Sequence, residues 1–407
     1  MRLTTLGNGL RVASRPMQSV ETIAVGLYAA TGSRSEPAKI NGVAHLFEHM
    51  VFKGAGGRSA REISELVEDV GGDLNASTDR ELTAFYLSLL APDLELGVRL
   101  LADLTQRPHF EPAHLELEKK VVLQELAEAN DTASDLVFDL LQDASFAGQA
   151  LGRSVLGEEA SIRAVRVDDL SAWLKSQYVP NSLVLVAAGK LEHDRLVELA
   201  QAAFGGVASA PAAERDSAIF TGGSRFGRRK SVQAHIAIAC PAPPWGAEDA
   251  HAAHLFADAV GGGSSSRLFQ QLREEQGLAY SVAAGVQNYA DSGIFWSYVA
   301  SDRADAPLVH REIERVLAEA AAGLEQRDLE RARNLAKAGM MMSLESCWGQ
   351  ASYLANRLLR DRALVEPSEI IARLDRVTLD EVRAVGARMI SGQRAVASVG
   401  ARLALAA

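Results

Sequence analysis

Cysteine is scarce: Cys240 and Cys347 are the two in 407 residues, too few for a disulfide framework, which fits a reducing compartment. No apolar run reaches the roughly 18 residues that a membrane-spanning helix needs. The first ten residues, Met1 to Leu10, lack a basic segment followed by an apolar stretch and do not read as a secretory leader. A basic excess is missing too. With 42 Lys+Arg against 52 Asp+Glu the net charge is −10, which gives no support to binding of nucleic acid or an anionic membrane. These absences point to a soluble, cytoplasmic chain without a membrane span. A periplasmic or organellar location stays open if a targeting segment was removed.

What is present is ordinary globular material, 48% hydrophobic and 23% charged, in a length that suits two to three domains. Residues 204–231 are rich in Gly, Ala, Ser and Pro and end in a basic run from Arg225 to Lys230. They read as a linker, which divides the chain into a domain at 1–208, a linker at 209–230 and a domain at 231–407. The two parts share one order. A β-like run at 22–28 precedes a helix through His45, a helix at 60–70, strands near 74–78 and 83–90, and helices at 94–105 and 112–130. In the second part the same order is a β-like run at 234–239, helices at 251–260 and 265–275, strands near 279–286 and 293–300, and helices at 307–322 and 326–343. This repetition predicts an internal duplication. The mixed order predicts an α+β fold of two duplicated domains, each a mostly antiparallel sheet with helices packed on one face.

The stretch His45-Leu46-Phe47-Glu48-His49 carries the chemistry. On a helix, His45 and His49 lie one turn apart and project from one face, so two imidazoles can hold one Zn²⁺ and leave room for a further protein ligand and a water. Glu48 borders that face and can take a proton from the water. Val43, Ala44, Leu46, Phe47, Met50 and Val51 would bury the rest of the helix, and polar groups on a buried helix need a reason. Two surface histidines meeting a glutamate by accident is the plainer alternative; composition makes one such match a roughly one-in-a-hundred event.

A third ligand should come from another helix. Glu118 and Glu125 are seven apart and share a helix face, so one can ligate while the other orients a ligand histidine. Spacing alone does not choose between them, nor does it exclude a solvated acidic face shared with Glu116 and Glu128. Gly261-Gly262-Gly263-Ser264-Ser265-Ser266 lacks the Gly-Lys-Ser/Thr ending of a phosphate loop. His251 and His254 lack both the spacing and the glutamate of the first motif.

With these residues in place, the chain resembles the pitrilysin/insulinase family of zinc metallopeptidases, whose inverted motif is His-x-x-Glu-His. It is most similar to the mitochondrial-processing-peptidase-like branch, bacterial members included. The resemblance runs through residues 30–36, 45–54, 71–78, 118–125 and 262–282. It implies His45, His49 and Glu125 as metal ligands for one Zn²⁺ in the first domain, Glu48 as the catalytic base, and Glu118 as the carboxylate that orients a ligand histidine. Asn75, Ala76 and Thr78 match the family's edge strand, to which substrate backbone adds. Phe52 becomes a wall of the substrate pocket, with ordinary core packing as its alternative. Arg273 and Tyr280 match the family's substrate clamp, where both can donate hydrogen bonds to a peptide carbonyl.

The second domain, without the motif, is implied to hold no zinc. The resemblance further implies a zinc endopeptidase that cleaves peptides or unfolded segments inside a chamber of paired chains. A homodimer is the simplest pairing, with a heterodimer as the alternative. A non-catalytic scaffold subunit is the rival reading, disfavoured by the intact set His45, Glu48, His49 and Glu125. A hydrolase of non-peptide substrates is disfavoured by the edge-strand pattern at Asn75.

Overall fold

The computed structural model describes residues 1–213 and 215–403; Glu214, inside the expected linker 209–230, and residues 404–407, at the end of the expected second domain, lie outside the described residues. The chain forms two compact units. One comprises Met1–Leu126, Ser154–Asp216 and Met341–Glu366; the other comprises Ala127–Arg153, Ser217–Met340 and the chain from Pro367 onward. Each unit therefore contains a segment drawn from the other half of the sequence.

The first unit is built on a six-stranded sheet. Its strands are β1 (Arg2–Thr5), β2 (Arg11–Pro16), β3 (Thr22–Ala29), β6 (Asp73–Thr78), β7 (Thr83–Leu90) and β8 (Leu183–Gly189), while β4 (Gly54–Ala55) and β5 (Arg58–Ser59) make a separate short hairpin. The order is β1-β2-β8-β3-β7-β6, antiparallel throughout except between β2 and β8. The second unit carries β9 (Gly223–Gly227), β10 (Gln233–Pro241), β11 (Ala279–Asn288), β12 (Gly293–Asp302) and β13 (Ala395–Val399) in the order β11-β12-β10-β13-β9. Only β13 and β9 run parallel there.

Matched strand for strand, β2, β3, β6, β7 and β8 have the pairing pattern of β9, β10, β11, β12 and β13, so the duplication holds at the level of topology. Residues 223–227, inside the expected linker, are β9. Pairing with β13 satisfies their main-chain groups despite their glycine and basic content.

Strand burial explains the layers. β3 and β8 are buried almost throughout and read as near-continuous apolar runs, so the sheet has two faces to cover. Val25, Leu27, Phe85, Leu87 and Leu185 pack into a large core with Leu46, Phe47 and Leu101. On the opposite face Ala24, Tyr28, Ala84, Val184 and Val186 pack under Ala351, Leu354, Ala355 and Leu358 of the helix Cys347–Arg360. In the second unit the helix Ala133–Ser145 covers Ala237, Ala239, Ala395 and Ala397 in the corresponding way. Helices on one face alone, the sequence expectation, would have left these apolar faces in water. The helix expected at 265–275 is a π-helix at Phe269–Glu275, and the chain turns away at Gly277 with φ 64°.

Burial on the helix Ala250–Gly261 pushes the Asp258 carboxyl up to about 6. Its folded value lies above the unfolded 3.8, so the native state binds the proton more tightly and the ionised form costs stability. That cost is absent near pH 3, grows as the pH rises through 4–6, and is complete above it. Asp258→Asn should therefore raise Tm in thermal melts at pH 8 and give no gain at pH 3; a gain equal at both pH values would contradict this.

Candidate metal centre

The helix Val43–Val51 presents one polar stripe on an otherwise buried cylinder. Val43, Ala44, Leu46, Phe47, Met50 and Val51 are buried, while His45, Glu48 and His49 remain partly exposed. Its N-terminal residue Gly42 has φ 96°, a conformation that favours glycine, and a Cβ there would lie 2.9 Å from the Leu156 carbonyl oxygen. Gly42 has no side chain to cap the helix. The N–H groups of Gly42 and Ala44 are taken instead by Glu36, itself 4% exposed. Its Oε2 accepts from Gly42 N at 2.8 Å and Asn41 Nδ2 at 2.6 Å, and Oε1 accepts from Ala44 N at 2.7 Å. A carboxylate at this helix end is also favoured by the backbone dipoles.

The His45 and His49 rings stand edge-on, centroids 4.7 Å apart. The helix Pro112–Asp131 brings two carboxylates to them. Glu125 Oε2 lies 3.8 Å from His45 Nε2 and 3.6 Å from His49 Nε2. Donor atoms of His45, His49 and Glu125 all fall within 4.8 Å of one another. A tetrahedral ion with bonds of about 2.0–2.1 Å separates its ligand atoms by about 3.3–3.5 Å, so this donor set fits Zn²⁺ with small adjustment. Glu118, buried on the same helix, meets the other nitrogen: its Oε2 lies 3.1 Å from His49 Nδ1. A proton held on Nδ1 leaves the Nε2 lone pair directed at the site. Burial, reinforced by the neighbouring His49, lowers the His45 pKa to about 4 and keeps that ring neutral, the form that ligates.

Glu48 stands beside this group. Burial raises its pKa, and the Thr78 hydroxyl donates to its Oε2 at 2.5 Å. Thr78 ends β6, the edge strand, where residues alternate between exposed and half-buried. Asn75 is exposed and its Oδ1 accepts from the Ala76 N–H at 2.8 Å, while Ala76 packs on the core. Phe52 is half-buried against the same core, 6.3 Å from the Phe85 ring.

Arg273 and Tyr280 lie in the second unit and meet each other: Arg273 Nη1 donates to the Tyr280 carbonyl at 2.5 Å and its guanidinium lies over Phe269 at 5.0 Å. Tyr280 is 52% exposed, and its hydroxyl donates to Asp302 at 3.4 Å. Glu36 and the bond from Thr78 to Glu48 escape sequence reasoning. Glu36 precedes the helix it caps by a loop, and no local spacing rule links Thr78 to Glu48.

Residues 11–159 match the family described as Insulinase (Peptidase family M16), and residues 164–336 match the Peptidase M16 inactive domain. A relative named an uncharacterized zinc protease, from Mycobacterium leprae, is 33% identical over 98% of this chain and 91% of its own length. The chain belongs to the M16 peptidase family. Another relative named an uncharacterized zinc protease, from Streptomyces coelicolor, is 34% identical across 98% of this M16 chain and 89% of its own length. The beta subunit of the mitochondrial-processing peptidase of Lentinula edodes is 30% identical across 95% of this chain and 87% of its own. Among solved structures, a Helicobacter pylori protease shares the fold with a TM-score of 0.90 at 19% identity, covering 98% of both chains.

For this M16 chain the Glu36 cap is open to a direct test. Glu36→Ala removes the bonds accepted from the Gly42 and Ala44 N–H groups and the Asn41 amide, and should cost about 2–4 kcal/mol in urea unfolding. An unchanged midpoint would mean that the helix start finds other partners.

Proposed function

We propose that this M16 peptidase is a zinc-dependent endopeptidase of peptides or unfolded polypeptide segments. The observation that carries the reading is the convergence of His45, His49 and Glu125 beside the Glu48 carboxylate. In this reading the three side chains hold one Zn²⁺ in the domain that bears the motif, and Glu118 orients His49. Zinc, when bound, polarises the scissile carbonyl and lowers the pKa of the attacking water.

The chain's own groups do the rest. Glu48, steadied by Thr78 and made more basic by burial, takes the proton of the attacking water as its oxygen bonds to the carbonyl carbon. As the C–N bond breaks, Glu48 gives that proton to the leaving amine. The edge of β6 at Asn75 and Ala76 pairs with extended substrate backbone, which explains tolerance of sequence. Phe52 forms one wall beside the scissile bond.

Arg273 and Tyr280 donate hydrogen bonds to a substrate carbonyl from a partner chain, with the exposed Tyr280 ring as support. A chamber formed by paired chains admits peptides and excludes folded proteins. Because both half-sites are present in one sequence, the pair is a homodimer; a related partner chain would make it a heterodimer, and the Lentinula edodes relative is named a beta subunit. No helix among the described residues is long and apolar enough to cross a membrane, which is compatible with the cytoplasmic setting proposed here.

Glu48→Gln tests the mechanism. It should keep zinc at wild-type stoichiometry and lose at least a thousandfold in kcat/KM on quenched peptides. Retained turnover would sink the assignment of Glu48.

A further inference from the structure

We infer that Lys53 is a positioning residue for the metal centre, acting through Glu118 on His49; the inference rests on the zinc reading proposed above. Lys53 Nζ lies 2.9 Å from Glu118 Oε1, while Glu118 Oε2 lies 3.1 Å from His49 Nδ1. The two carboxylate oxygens are thus used separately, one by a cation and one by an imidazole. Among the described residues Lys53 is the one cation paired with Glu118, since the adjacent Lys119 is turned to Glu116 at 2.7 Å and to the Arg163 carbonyl.

The backbone explains why a lysine reaches this spot. The Lys53 N–H donates to the Met50 carbonyl at 3.1 Å, which holds the residue against the C-terminal end of the motif helix, where the backbone dipoles favour a cation. The next residue, Gly54, opens the short strand β4, and its carbonyl accepts from the His109 N–H at 2.6 Å. That bond ties the chain just after Lys53 to the segment at His109.

Glu118 is 6% exposed, so its carboxylate has little water to hold it in place. With Lys53 on one oxygen, the carboxylate plane is fixed and the other oxygen faces the His49 ring. That fixes the ring orientation and keeps the Nε2 lone pair aimed at the donor set. Without Lys53 the carboxylate is free to rotate, and His49 loses the clamp that sets its angle. Outer partners of ligand histidines typically carry 10–100-fold in metal affinity.

The sign of the effect separates positioning from simple electrostatics. Deleting a cation near a metal site leaves more negative charge there, which by Coulomb attraction alone tightens the binding of Zn²⁺. Positioning predicts the opposite.

The test is a chelator-competition titration of the full chain with Zn²⁺ alone, alongside the Tm of the metal-free form. Lys53→Met should weaken zinc binding, by less than the roughly 10–100-fold that a direct partner of a ligand histidine carries, and Lys53→Arg should restore most of the affinity. The metal-free Tm reads separately what the buried Glu118 carboxylate costs the fold once its cation is gone. The visible spectrum of the Co²⁺-loaded variant should shift, because it reports ligand angles. Should Lys53→Met fail to fold, Lys53→Gln against Lys53→Arg gives the same comparison. Unchanged or tighter zinc binding would overturn the inference. Failure of the wild type itself to bind zinc would overturn the underlying metal reading instead.

Discussion

The arrangement of the site depends on one helix being held rigidly on every side but one. Val43–Val51 is sunk in apolar core along most of its circumference, and at its start the N–H groups of Gly42 and Ala44 end on the buried Glu36 carboxylate. Once the helix is fixed in depth, rotation and start point, the only side chains left to face outward are His45, Glu48 and His49. A second helix then needs to supply nothing but two carboxylates seven residues apart, Glu118 for one nitrogen of His49 and Glu125 for the other.

The duplication shows how one fold serves two ends. The strand β10 corresponds to β3, and the helix after it, Ala250–Gly261, is where a second motif would sit. Instead His254 is committed to Asn288, Nε2 to Oδ1 at 2.6 Å, and Asn288 donates onward to the Pro243 carbonyl at 2.8 Å. That is a packing network, with burial lowering the His254 pKa. The same pairing pattern therefore supports a polar stripe open to a ligand in one copy and a closed internal contact in the other.

Much of this was legible in the sequence because its signals are local. The 45–49 spacing gives a helix face, the apolar positions around it give burial, and the family resemblance at Asn75, Ala76 and Thr78 implies an edge strand, which β6 is. The repeat order anticipated two sheets of one topology. The rest depends on distant partners. Nothing near Glu36 says that its carboxylate returns to cap a helix that starts at Val43, and nothing near Lys53 names Glu118. The apolar stripe of Cys347–Arg360 marks it as buried, yet a stripe does not say which sheet it covers. In the same way the glycine-rich 223–227 conceals β9, whose partner β13 lies at the far end of the sequence. The choice between Glu118 and Glu125, open on spacing alone, turns on which carboxylate faces which nitrogen.

The central claim is that His45, His49 and Glu125 together hold one zinc ion. X-ray absorption of the zinc-loaded chain tests it most directly, read with metal content after dialysis. The account predicts one zinc per chain, a first shell of two imidazole nitrogens with oxygen at about 2.0–2.2 Å, and loss of zinc in His45→Ala, His49→Ala and Glu125→Ala alike. Zinc kept at full stoichiometry with an unaltered first shell in any of the three would contradict it.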